Sequence, residues 1–326
     1  MTIAKRRFLI TGGFSLIGSH IADQLLAANA EQVVLLDNGA LGHATTVSHL
    51  VDNPRVRMVR GDILRIEDVV DVMDGMSGVF HTAAFITLPL SQQPVLGLDV
   101  NVRGLINVLE CCRWAGVGKI VYSSSISAFG SAGGVINETT PFAGAGVQPA
   151  SALYGLSKLM GEQLCALYRQ RHGIDWMAVR CATVYGERQH ARGLNVVPIV
   201  KAHDRIRRGK QPVVQGGPLE VHDYVYVGDV ARGHVMAMDR DVSGEVVTLA
   251  TGQLTTLDAL IRVVLKVCGS DLDPVFDQGE RLKTAGTDIE RFDVEKAERV
   301  LGWTTEVALE DGIRQLIAWR ESVIDA

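Results

Sequence analysis

The chain has 326 residues, 47% of them apolar and 21% charged, with a formal net charge of −5. That length exceeds one minimal domain and suits one large domain or two closely packed lobes; the composition is that of an ordinary soluble globular protein. Mild acidity gives no reason to expect nucleic acid or an anionic membrane as partner, and no stretch nears the roughly 20 apolar residues that span a bilayer. The five cysteines, Cys111, Cys112, Cys165, Cys181 and Cys268, are odd in number and lack Cys-x-x-Cys spacing. They read as reduced thiols, with no metal site expected. The residues before Phe8 lead straight into a short strand, too little for a signal-peptide core. A cytoplasmic location is the expectation.

Phe8-Leu9-Ile10-Thr11 reads as a buried strand, Gly12-Gly13-Phe14-Ser15 as a turn, and Ile17, Ile21 and Leu25 as one face of a helix. Free amide N–H groups and the helix dipole make such an N-terminus a site for a dinucleotide pyrophosphate; alone, it reads equally as a turn capping a structural helix. The second strand, Val33 to Asn38, ends in Asp37, about 20 positions after the turn, where a carboxylate can accept from both adenosine ribose hydroxyls. It would repel a 2′-phosphate, so NAD is expected over NADP. Val56 to Ile63 is the third strand, with Asp62 at its end, where an adenine amine could be met. Val79 to Ala84 is the fourth, and its His81 reads as a core histidine. Helical patterns at 17–29, 65–74 and 99–115 alternate with these strands, which predicts an α/β doubly wound parallel sheet of Rossmann type.

The fifth strand, Lys119 to Ser125, runs into a hydroxyl cluster at the strand end where ligands sit in such sheets. Tyr154 begins a helix and shares a face with Lys158, four residues on. A neighbouring ammonium favours the phenolate, so the pair could do acid/base work. The sixth strand, Trp176 to Gly186, leaves the sheet. Beyond it lie a helix near 196–208, a strand and helix start at Asp223 to Val230, a capping box at Thr255-Thr256-Leu257-Asp258 and a last amphipathic helix near 309–321. These segments predict a smaller C-terminal substrate lobe, which divides the chain into 1–186 and 187–326, with later strands returning to the sheet.

Thr11-Gly12-Gly13…Gly18, Asp37, Gly61-Asp62, His81-Thr82-Ala83-Ala84, Asn101, Ser123-Ser124-Ser125, Tyr154-Gly155-Leu156-Ser157-Lys158, Val184-Tyr185-Gly186 and Asp223-Tyr224-Val225-Tyr226-Val227 follow one another in a known order. With them the chain resembles the extended short-chain dehydrogenases/reductases, and within these the NAD-dependent sugar-nucleotide epimerase/dehydratase group, of UDP-glucose 4-epimerase type. The resemblance covers nearly the whole chain, to Leu301-Gly302-Trp303. It implies Tyr154 as acid/base on a substrate hydroxyl, Lys158 holding the nicotinamide ribose, and Ser125 bonding the reacting oxygen with Ser124 as fallback. For NAD it implies Gly12, Phe14, Ser15, Leu16, Ile17, Gly18, Asp37, Asn38, Asp62, Ile63, Ala83, Ala84, Asn101 and Ser123, besides Tyr154 and Lys158. For substrate it implies Phe85, Ser124, Thr183, Arg188, His222 and Lys283. Two helices per subunit imply a homodimer.

The chain departs from the family pattern at Ser15, where a middle glycine is usual, at His222 for an arginine, at Thr183 for an asparagine and at Lys283 for a late arginine. The last three are diphosphate contacts, and losing arginine's bidentate geometry is not conservative there; Arg188, Lys201 or Lys283 could compensate. Ile126 and Ser127 stand where dehydratases and decarboxylases carry an acid. Epimerisation of a nucleoside-diphosphate sugar, at C4 through a transient ketone, is therefore the main reading. Oxidoreduction of a non-nucleotide alcohol, of hydroxysteroid or dihydroflavonol type, and an idle NAD-binding regulator are the alternatives.

Overall fold

A computed structural model describes residues 2–189, 197–277 and 289–324. Its centre is a parallel sheet built from β1 (Arg7–Thr11), β2 (Gln32–Asp37), β3 (Val56–Arg60), β4 (Gly78–His81), β5 (Lys119–Ser125), β6 (Asp175–Cys181) and β7 (Glu245–Leu249). Their order across the sheet is β7-β6-β5-β4-β1-β2-β3. The chain therefore winds outward in both directions from β1, and the gap between the ends of β1 and β4 is the switch point where ligands bind in such sheets.

Both faces are covered, which is why the strands are apolar almost throughout. Side chains alternate in direction along a strand: Phe8 and Ile10 of β1 enter one apolar cluster while Leu9 enters another. The first cluster packs under α1 (Leu16–Ala27) and α6 (Val227–Asp239); the second packs under α2 (Ile66–Met73), α3 (Leu105–Ala115) and α4 (Pro149–His172). A third cluster joins Tyr185, Tyr226, Leu260, Val264, Ile313 and Leu316. It binds α5 (Val197–Ile206), α7 (Leu257–Val267) and α9 (Leu309–Ile324), while α8 (Glu295–Leu301) packs at the sheet.

The helix bearing Tyr154 starts at Pro149, five residues earlier than its apolar pattern indicates, because proline suits the first helical position. It ends at Gly173, which takes the left-handed conformation, φ 72°. Helical structure expected at 99–115 is a π-helical stretch, Asp99–Gly104, running into α3. Among the described residues, four two-stranded pairings lie outside this sheet. His222 pairs with Thr255, and Ile289–Phe292 lies along Gly134–Ile136. Trp303 is buried and donates from Nε1 to the Asp229 carbonyl of α6 at 2.8 Å, which ties the C-terminal segment down.

Candidate active site

At the switch point lie two adjoining chambers. The smaller, about 80 Å3, is walled by Gly12, Asp37, Asn38, Asp62, Ile63, Ala83 and Phe85 among others. The larger, about 360 Å3, holds Leu16, Ile17, Ser123, Ser124, Ser125, Tyr154, Lys158, Thr183 and His222 in its wall. Ser15, Leu41, Gly42, Thr82 and Ala84 line both, so the N-terminus of α1 stands between the two.

Glycine is required at residue 12: φ is +73°, and a Cβ there would lie 2.7 Å from the Ala83 amide nitrogen. The hydroxyl of Ser15 caps α1, accepting from the Gly18 amide at 3.1 Å. Asp37 accepts from the amides of Phe14 (3.0 Å) and Gly39 (2.8 Å). Its burial pushes the carboxyl upward against those two hydrogen bonds. Asn38 donates to Asp62 at 3.0 Å. A glycine turn, a helix N-terminus and a buried carboxylate set along two adjoining chambers fit a dinucleotide laid across the switch point. Gly12, Ser15 and Asp37 would hold its adenosine and phosphates, and Tyr154 and Lys158 would reach its reactive end.

At the other end, α4 lies close to β5 because Gly155 backs onto the Ser127 carbonyl and Gly161 onto the Tyr122 hydroxyl, each with no room for a Cβ. This brings the Lys158 ammonium to the Ser123 carbonyl (2.8 Å), 5.0 Å from the Tyr122 ring centre and 5.7 Å from that of Tyr154. Burial lowers Lys158 to about 8, while Cys181 and Glu162 oppose the shift. Burial also pushes the Tyr154 phenol up to about 12, with the hydrogen bond to Ser125 acting the other way. Desolvation leads among the causes of that shift, and the Lys158 ammonium is not among the groups that offset it. Ser125 is held in turn by Ser127, whose amide donates to its Oγ at 3.1 Å.

Several expected contacts lie elsewhere. Gly18 packs against the Gly12 carbonyl and Phe14 serves Asp37, so both shape the turn rather than line a chamber. Asn101 accepts from the Phe85 amide (2.7 Å) and donates to the Phe85 carbonyl (3.0 Å), which clamps that loop from behind. Held this way, Phe85 walls the smaller chamber, not the larger substrate side. Ser124 borders the larger chamber, but its hydroxyl donates to Glu162 at 2.6 Å and turns away from a ligand. Arg188 binds Asp23 of α1 at 2.5 Å and is not in the chamber wall. Lys283 lies outside the described residues. His81 is the core histidine expected: it is bonded to Thr11 at 2.9 Å, stacked on Tyr122, and lowered by burial to about 3.

Sequence reasoning missed the buried pair beneath the site, where Arg180 meets both Glu162 oxygens at 2.9 and 2.8 Å and lies over the Phe129 ring. A guanidinium inside the apolar run of β6 was the available signal. Cys181, Ser127, Ser151, Gln189, Ile289 and Phe292 are further wall residues. Among the described residues no group of three or more His, Cys, Asp or Glu side chains could hold a metal ion. None of the described helices is long and apolar enough to cross a membrane.

The NAD dependent epimerase/dehydratase family model matches residues 8–250, and the chain belongs to this family. A Methanocaldococcus jannaschii protein, provisionally named a UDP-glucose 4-epimerase, is 33% identical over 96% of this chain and 98% of its own. The UDP-glucose 4-epimerase of Mycolicibacterium smegmatis is 30% identical over 95% and 97%. Among solved structures, UDP-glucose 4-epimerase of Thermotoga maritima with UDP-glucose superposes with a TM-score of 0.86 at 27% identity, over 98% of this chain and 99% of that one. The Thermus thermophilus UDP-glucose 4-epimerase with NAD gives 0.80 at 29%, over 97% and 99%.

Proposed function

We propose that the protein is an NAD-dependent enzyme that interconverts C4 epimers of a nucleoside-diphosphate hexose, with UDP as the carrier suggested by its relatives. The observation that carries this reading is the adjacency of the two chambers, with Ser125, Tyr154 and Lys158 in the wall of the larger. NAD, when bound, supplies a hydride acceptor that can return the hydride, and a positive charge. Tyr154 takes the proton of the sugar hydroxyl as its C–H bond breaks and gives it back to the oxygen after the ketone has presented its other face. Ser125 holds that oxygen, and Lys158 keeps a positive charge beside the phenol. Residues 187–326 form most of the substrate lobe in this proposal, with α6 and β7 serving the sheet.

The test supplies UDP-glucose, UDP-galactose or UDP-N-acetylglucosamine to NAD-loaded protein and follows the C4 epimer by NMR. Turnover of one of them is expected, and Tyr154→Phe should lower kcat about 10²- to 10⁴-fold. The apolar residues Ile86, Leu88, Pro89, Val184 and Phe292 in the larger chamber favour the second reading, a non-nucleotide alcohol. Stoichiometric NADH accumulation with such an alcohol, and no epimer from any nucleotide sugar, would establish it instead.

Leu153, Leu156, Met160 and Leu167 are exposed along one helix, α4. An apolar stripe of this kind marks an interface, and we propose that it forms a homodimer with the same stripe of a second copy. Met160→Glu should convert the dimer to monomer in sedimentation; a wild-type monomer at micromolar concentration would refute the proposal. All five cysteines are free and four are buried, which supports placing the protein in the reducing cytoplasm.

A further inference from the structure

His234 of α6 is fully buried and lies on the sheet face opposite α4. Its Nδ1 lies 2.8 Å from the Val230 carbonyl and its Nε2 lies 2.8 Å from the Ser123 hydroxyl. A carbonyl only accepts, so Nδ1 carries the hydrogen. Burial keeps the ring neutral, lowering it to about 4, so Nε2 is bare and Ser123 must donate to it. The Ser123 proton is thereby committed, and the serine offers the chamber lone pairs alone. Ser123 also supplies the carbonyl that accepts from the Lys158 ammonium at 2.8 Å. Side chain and carbonyl hang on one residue of β5 that lies beyond the last β4 pairing, His81 with Tyr122, and is paired on its other side with Val179 of β6. No β4 strand partner holds Ser123 on that side, so the tether on its hydroxyl adds to the β6 pairing in setting where the carbonyl points.

We infer that His234 is a positioning residue: from behind the sheet it fixes Ser123, and through the Ser123 carbonyl it fixes the Lys158 ammonium against Tyr154. This rests on the proposed role of Lys158. The other groups facing the ammonium are Tyr122 on β5, Tyr154 and Glu162 on its own helix, Cys181 on β6 and His81 on β4. Around His234 itself, burial and the Val230 carbonyl set the ionisation.

The test uses NAD-loaded protein with 13Cε-lysine, the Lys158 resonance being assigned with Lys158→Arg, and follows its titration by NMR. A carbonyl accepting from the ammonium favours the charged form. His234→Leu and Ser123→Ala should each move the Lys158 titration down by about one pH unit. His234→Gln, which keeps an acceptor facing Ser123, should leave it in place, and the double variant Ser123→Ala/His234→Leu should shift no further than either single change. With a turned-over sugar nucleotide, kcat should fall about tenfold in the two shifting variants, with KM within about twofold. Folded Ser123→Ala with an unmoved Lys158 titration overturns the inference, and this variant decides if His234→Leu does not fold. A shifted titration in protein that epimerises nothing would sink the proposed function and leave this inference standing.

Discussion

Arg180 and Glu162 are both almost wholly buried, and their pairing is bidentate. Ser124 adds a third hydrogen bond to the carboxylate, and the guanidinium covers Phe129. Removing one partner of such a pair leaves an uncompensated charge in the interior, at a cost of about 3–5 kcal/mol. Arg180→Met should therefore lower the urea-unfolding free energy by about that amount, and a loss below about 1 kcal/mol would mean that water reaches the pair. The neighbouring pair Tyr154 and Lys158 was legible because residues four apart on a helix must share a face. The direction of the phenol's shift was not, since desolvation depends on what surrounds the ring and no local spacing reports it. The partners of Ser124 and Arg188 were hidden for a related reason: Glu162 and Asp23, which bond them, lie 38 and 165 positions away respectively.

Gly155 and Gly161 sit inside a helix of 24 residues, where alanine would be favoured by about 1 kcal/mol on backbone grounds. Here the surroundings decide otherwise, because a Cβ would strike the Ser127 carbonyl or the Tyr122 hydroxyl. Gly155→Ala and Gly161→Ala should each destabilise by about 1–3 kcal/mol, lowering Tm in calorimetry. A rise in Tm would show that helix and strand are not tightly apposed. Most sheet strands and the covering helices were readable from their apolar runs and periods. The short helices Thr87–Gln92 and Pro94–Leu98 were not, being too brief to show a period. The strand Glu245–Leu249 is β-prone in composition, and later strands were expected to return to the sheet. Its place at the sheet edge follows from α6 crossing back, a long-range outcome that local pattern does not encode.

At the scale of the molecule, buried histidines govern behaviour in acid, and burial lowers His203 as well as the three that follow. Burial, first among their causes, lowers His20 to about 4, His81 to about 3 and His234 to about 4. An unfolded histidine titrates near 6.5, so between about pH 6.5 and 4 the unfolded chain binds protons that the folded one refuses. Stability is present above that window and is lost as pH falls, by at most about 1.4 kcal/mol per pH unit for each histidine. Asp223, raised by burial to about 6, and Asp37, also raised by burial, work in the opposite sense, two groups against four among the described residues. Urea unfolding at pH 7 and pH 5 should show a clear loss at the lower value; equal stability would mean that the rings are protonated in place.

The late return of the chain to its first layer bears on how the protein is made. While a ribosome has delivered residues up to 186, six strands of the sheet exist, yet β6 has no neighbour on its outer edge and α6 is missing from one face. Val121, Met177 and Val179, which share a cluster with α6 and β7 in the finished protein, would then face water beside an open strand edge, a template for association between nascent chains. A fragment ending at residue 186 should accordingly aggregate on expression. One that extends through residue 249 brings both the cover and the closing strand, and should be distinctly more soluble in a pelleting assay. The nucleotide-binding half is thus completed by sequence that is translated after the Tyr154 helix.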